Sequence, residues 1–99
     1  MSNMRRFFQE ISDFCTNIEN SSLSTTEVYE TAYELGMDIE KTTAIGKWAE
    51  TTFILDMGDT KYEFDVTFNE DGTEAWDITV SEYHNGKYQG IVTNDFIQE

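Results

Sequence analysis

Glu63 and Asp65 alternate with Tyr62, Phe64 and Val66, Asp77 stands between Trp76 and Ile78, and Glu50 and Asp56 lie an even number of positions apart in the preceding run. Carboxylates so placed can hold a divalent cation, exchange protons, or pair with the Lys and Arg side chains of another molecule. For a cation, Asn69-Glu70-Asp71-Gly72 is like part of an EF-hand loop. However, Thr67 and Ile78 would fill its first and last ligand positions, where acids are required. A hairpin turn is the better reading, with weak divalent binding by Glu70, Asp71 and Glu74 as a minor alternative. No metal site and no cofactor are expected, because His84 and Cys15 are the only residues of their types and zinc is held by sets of such ligands. His84 abuts the Asn85-Gly86 turn and reads as a polar strand-end residue. Cys15 falls on an apolar helical stripe and reads as a buried, inert thiol. Carboxylate pairs are too abundant here to mark a general acid and base. There is no Gly-rich phosphate loop, nucleophile elbow or Ser/His/Asp set, so an enzyme is not expected.

Charge pairing remains. The chain has 20 acidic and 6 basic residues in 99, a formal charge of −14. Eight carboxylates and no Lys or Arg lie between Phe7 and Glu40; twelve acids face only Lys61 and Lys87 from Trp48 to Glu99. Such a field repels nucleic acid and anionic membrane and recruits basic partners, while straining the compact state by self-repulsion. Disorder is not expected, since seven Phe, five Tyr and two Trp recur at regular spacings and proline is absent. One domain spanning 1–99 is expected at this length. Without a secretory apolar region or a membrane-length apolar run, the expected location is cytoplasmic.

The elements that must position these acids follow from two periodicities. Met4, Phe7, Phe8, Ile11, Phe14, Cys15 and Ile18 form one face of an α-helix. Ser24-Thr25-Thr26-Glu27 fits a capping box, so a second helix starts near Thr25 and stops at Gly36. A third helix over about Asp38 to Trp48 is compatible with the sequence, although Thr42, Thr43 and Gly46 lower its propensity. The pair would resemble a helix-turn-helix only superficially. Glu27, Glu30, Glu34, Asp38 and Glu40 against Lys41 and Lys47 are the wrong charges for a DNA backbone, so a plain αα-hairpin is expected.

Beyond Trp48 the period becomes 2, and Gly58-Asp59, Asp71-Gly72 and Asn85-Gly86 punctuate four strands. The expected fold is therefore α+β, with two or three N-terminal helices over about 3–48 packed on one face of a four-stranded antiparallel β-meander over about 48–96. Two-residue loops at the first and last hairpins set Phe53 opposite Phe64 and Val80 opposite Ile91. An even loop at Asp71-Gly72 would turn Asp77 into the core, so a three-residue loop is expected, pairing Phe68 with Trp76, Val66 with Ile78 and Phe64 with Val80. The outward face then reads, across the strands, Glu50-Thr67-Asp77-Asn94, Thr52-Asp65-Thr79-Val92, Ile54-Glu63-Ser81-Gly90 and Asp56-Lys61-Tyr83-Tyr88. At one end Glu70 would face Glu74 beside Asp71, an opposition of like charges that costs stability.

In size, acidity and a helices-plus-small-sheet layout, the chain resembles the small acidic anti-defence proteins of bacteriophages, including anti-CRISPR and anti-restriction DNA mimics. That resemblance covers composition and layout and carries over no individual residue. It implies a non-enzymatic inhibitor of a basic nucleic-acid-binding protein, such as a nuclease or CRISPR effector, acting in the host cytoplasm without binding nucleic acid itself. The expected partner-binding residues are Glu50, Asp56, Glu63, Asp65, Glu70, Asp71, Glu74, Asp77, Tyr83 and Tyr88, the two tyrosines supplying aromatic contacts. The alternative is a structural or regulatory domain that oligomerises, for instance as a homodimer, through its sheet face or edge, with acidity serving solubility. A small metal-dependent enzyme is a third reading, resting only on the abundance of carboxylates.

Overall fold

The computed structural model describes residues 3–46 and 48–92. Two helices, α1 (Asn3–Glu19) and α2 (Thr25–Glu34), precede five strands: β1 (Asp38–Ile45), β2 (Trp48–Met57), β3 (Thr60–Phe68), β4 (Ala75–His84) and β5 (Lys87–Val92). The strands form one antiparallel meander in the order β1-β2-β3-β4-β5.

Both helix readings hold. Ile11, Phe14, Cys15 and Ile18 of α1 are buried, and Phe7 and Phe8 pack partly against them. The α2 capping box closes in both directions: Ser24 Oγ accepts from the Glu27 amide at 3.1 Å, and Glu27 Oε1 accepts from the Ser24 amide at 2.9 Å. At the other end the Met37 amide bonds the Ala32 carbonyl and the Gly36 amide bonds that of Tyr33, a Schellman arrangement that needs the positive φ of 85° at Gly36.

The third helix is replaced by β1, so the sheet has five strands rather than four and the αα-hairpin reading falls. Ile39, Thr42, Thr43 and Ile45 are β-branched and lose side-chain freedom in a helix. Pairing Asp38–Ile45 with β2 satisfies a ladder edge that a helix would leave open. A two-residue link joins Ile45 to Trp48, with Gly46 at φ 62°.

Registers agree with expectation at Phe53 opposite Phe64, Val66 opposite Ile78 and Phe64 opposite Val80. Two bulges change the rest. Phe68 pairs with Ala75, not Trp76, because an irregularity between Thr67 and Phe68 inserts Trp76 as an extra residue. Ala75 thus turns into the core, and Trp76 is left 42% exposed. A second bulge shifts β5 between Glu82 and Tyr83: Val80 pairs with Val92, and Ile91 is 59% exposed opposite Ser81. Asn94, and the expected run of the sheet to about residue 96, lie outside the described residues.

The core lies between the helices and the inner face of the sheet. Phe53, Leu55, Tyr62, Phe64, Val66, Phe68, Ile78 and Val80 meet the α1 stripe together with Val28, Ala32 and Leu35 of α2. No described helix is long and apolar enough to cross a membrane.

Candidate functional site

The helices take the inner face, and no described element covers the outer one. Alternation and pairing set its rows as Thr43-Glu50-Thr67-Asp77, Lys41-Thr52-Asp65-Thr79, Asp38-Ile54-Glu63-Ser81-Ile91 and Asp56-Lys61-Tyr83-Tyr88. Ile91 therefore replaces Gly90 in the third row, and Val92 leaves the second. Strands lie about 4.8 Å apart, and same-face neighbours along a strand about 6.6 Å apart, so Glu50, Asp56, Glu63, Asp65 and Asp77 form a fixed lattice.

Their surroundings are those of crowded like charges. The Glu50 carboxyl is pushed above its ordinary range by partial desolvation and then by Asp65 and Asp77, with Lys41 pulling the other way. Glu63 is raised by desolvation, then by Asp65 and Glu40, against the pull of Lys41 and Lys61. The Tyr83 hydroxyl is raised as well, by desolvation first and then by Glu63 and the neighbouring Tyr88. Asp65 accepts from Thr52 Oγ1 at 2.6 Å, and Thr52 is only 3% exposed although it stands on the open face. Asp56 accepts from the Gly58 amide at 2.9 Å, which fixes the β2–β3 turn. Among the described residues none of these five carboxylates has a Lys or Arg nitrogen within ion-pair distance.

Aromatic pairs bound the lattice at both ends. The Tyr83 and Tyr88 rings lie 5.5 Å apart in the last row. Trp48 stands one row beyond Glu50, and its ring meets that of Trp76 edge-on at 5.2 Å. Beside the tyrosines, a pocket of about 460 Å³ is lined by Asp56, Asp59, Lys61, Glu63 and Tyr83.

The tip is placed differently from expectation. Asn69, not Glu70, stands opposite Glu74: its amide bonds the Glu74 carbonyl, and its Oδ1 accepts from the Thr73 amide. The loop is also tied to the start of α2, because Thr25 Oγ1 donates to the Gly72 carbonyl at 2.7 Å and Ser24 bridges to Glu74. Glu70 and Asp71 are exposed, on a loop anchored to the helix layer rather than continuing the open face. No group of three or more His, Cys, Asp or Glu among the described residues is arranged to hold a metal ion.

Cys15 is buried, and its thiol is pushed up to about 12 by desolvation, with Glu19 adding to the shift. His84 is paired with Glu82 at 2.8 Å beside its turn, as a strand-end residue would be. The sequence reading missed the residues β1 brings to the face, Asp38, Lys41 and Thr43, and with them Glu40 in the β1 bulge. It also missed Trp48 and Trp76. The signal for β1 was present in its β-branched run, followed by the two-residue break Gly46-Lys47 directly before Trp48.

The fold and site together define an α+β protein with a two-helix layer on a five-stranded meander and an open, acidic, aromatic-bounded sheet face. No family model matches the chain, and neither the curated proteins nor the solved structures yield a significant match to it.

Proposed function

We propose that this is a non-enzymatic binding protein whose open sheet face occupies the basic groove of a nucleic-acid-binding protein, the carboxylates standing in for phosphates. The supporting observation is the lattice itself: carboxylates on a rigid sheet face that no described element covers, where desolvation and then like-charged neighbours raise Glu50 and Glu63, and where among the described residues no Lys or Arg nitrogen lies within ion-pair distance. A chain needing only solubility gains nothing by fixing like charges on adjacent strands, where they cost stability. In this reading the protein is an inhibitor of the anti-CRISPR or anti-restriction kind, and it touches neither nucleic acid nor membrane. Glu70, Asp71 and Glu74 act from the rim.

The test is competition. A basic partner captured from lysate and eluted by a salt gradient is loaded with its DNA or RNA, then challenged with this protein. Wild type should displace the nucleic acid, and a Glu50→Gln, Glu63→Gln, Asp65→Asn, Asp77→Asn variant should fail. Glu30→Gln with Glu34→Gln is the control, because these α2 acids share the charge but lie on the helix layer; Glu27 is excluded because it closes the capping box. Competition lost in the α2 variant but kept in the sheet variant would place the site on the helices.

A second reading, self-association through a sheet edge, has its own support. Ile39 on β1 and Tyr88 and Ile91 on β5 are exposed on the two edge strands. Sedimentation distinguishes the two readings: an apolar edge contact yields a dimer that persists as salt rises, whereas a phosphate mimic is monomeric alone and releases its partner.

A further inference from the structure

We infer that the open face selects arginine over lysine, so that its occupant is an arginine-rich segment of a partner protein seated between the two aromatic pairs. This deepens the reading above and rests on it. Charge complementarity alone makes the occupant cationic, but the composition of the face is more particular than its charge. Trp48 is 41% exposed, Trp76 42% and Tyr88 57%, and each stands at an end of the carboxylate lattice rather than in the core. From Asp56 to Trp48 along β2 is about 26 Å, so an extended segment reaches both ends while crossing Glu63, Asp65, Glu50 and Asp77.

Exposed aromatic rings beside carboxylates suit a guanidinium better than an ammonium. The guanidinium is planar and weakly hydrated, so it stacks on a ring while its fork donates two hydrogen bonds to a carboxylate. An ammonium is a compact, strongly hydrated point charge and gives up more water to lie against a ring. The pocket at the tyrosine end offers both elements, the Tyr83 ring and the carboxylates of Asp56, Asp59 and Glu63, against the single cation of Lys61. At the other end the Trp48–Trp76 pair adjoins Glu50 and Asp77, and tryptophan is the strongest of the aromatic cation acceptors.

Titrating the protein with oligo-arginine and oligo-lysine peptides of equal length at physiological salt tests the inference. Oligo-arginine should bind about tenfold more tightly, the sum of modest ring contacts at the two ends. A Trp48→Leu, Trp76→Leu, Tyr83→Leu, Tyr88→Leu variant, checked by thermal melt to be folded, should bring arginine affinity down to the lysine level and leave lysine affinity unchanged. Equal affinity for the two peptides in the wild type would overturn arginine selection while leaving the acidic-face reading intact. An arginine preference that survives in the folded variant would remove the rings from the inference. Failure of both peptides to bind would overturn the inference and the proposed function together.

Discussion

Thr51 is completely buried, yet its hydroxyl has two partners: Tyr29 Oη at 2.8 Å and Thr42 Oγ1 at 3.2 Å. This small network links α2, β1 and β2, and it gives the edge strand a polar anchor where apolar packing is thin. Tyr29→Phe or Thr51→Val alone should each cost about 1–2 kcal/mol, because each leaves a partly buried hydroxyl short of a partner. The double variant should cost less than the sum of the two, a coupling measurable in a urea-denaturation double-mutant cycle. On the opposite face, Glu50 and Glu63 make stability depend on pH in a definite direction. A carboxyl raised in the folded state keeps its proton to higher pH than in the unfolded chain, so the folded state binds more protons in that interval. Their destabilising effect is present at neutrality and fades as pH falls through the raised values. Urea midpoints should therefore rise as pH is lowered from neutrality through the raised carboxyl values, and less so in Glu50→Gln, Glu63→Gln, which should already be the more stable protein at neutrality.

Between residues and fold stand the bulges at Trp76 in β4 and in the β4–β5 pairing, and they decide which large side chains hold the sheet together. Trp76→Ala should cost only about 1–2 kcal/mol, since it removes a half-exposed ring and one edge-on contact. Phe64→Ala should cost about 3–5 kcal/mol, because Phe64 is wholly enclosed at the centre of the core. Chemical denaturation of the two variants measures the difference, and equal losses would mean Trp76 is inward. The contrast also shows where legibility in sequence ends. Strict alternation in Tyr62–Phe68 and the capping box at Ser24 are local patterns, so β3, its pairing with β2 and the start of α2 can be read from residue types. A bulge is not a local pattern. Whether Ala75 or Trp76 faces Phe68 depends on the Asn69–Glu74 loop, which Thr25 and Ser24 of the distant helix layer hold in place. The same applies to β1, whose weak helical signal loses to an open ladder edge on β2 that only the assembled sheet presents. For the site, the five lattice acids were legible through parity. The tryptophan pair and the acids of β1 required those tertiary pairings.

At the scale of the whole molecule, one property acts on folding and on binding with opposite sign. A formal charge of −14 on a body of about 39 × 29 × 20 Å places like charges within a few Debye lengths of one another over the entire surface. Screening relieves that repulsion, so the melting temperature should climb as sodium chloride rises from low to physiological concentration. The attraction that brings a basic partner to the open face is screened by the same ions, so association should slow and affinity should fall over that range. Stability and binding are thus predicted to be anticorrelated in salt, whereas a protein that binds through an apolar edge would show rising stability with affinity unchanged or strengthened. Thermal melts and surface-plasmon association rates, recorded in one salt series for wild type and for the Glu50→Gln, Glu63→Gln, Asp65→Asn, Asp77→Asn variant, measure both slopes. The variant should melt higher at low salt and respond less to added salt. It should also associate more slowly, with a shallower salt dependence. A variant that melts higher yet associates as fast as wild type would show that the lattice strains the fold without guiding the partner, and would move the electrostatic capture to acids elsewhere on the surface.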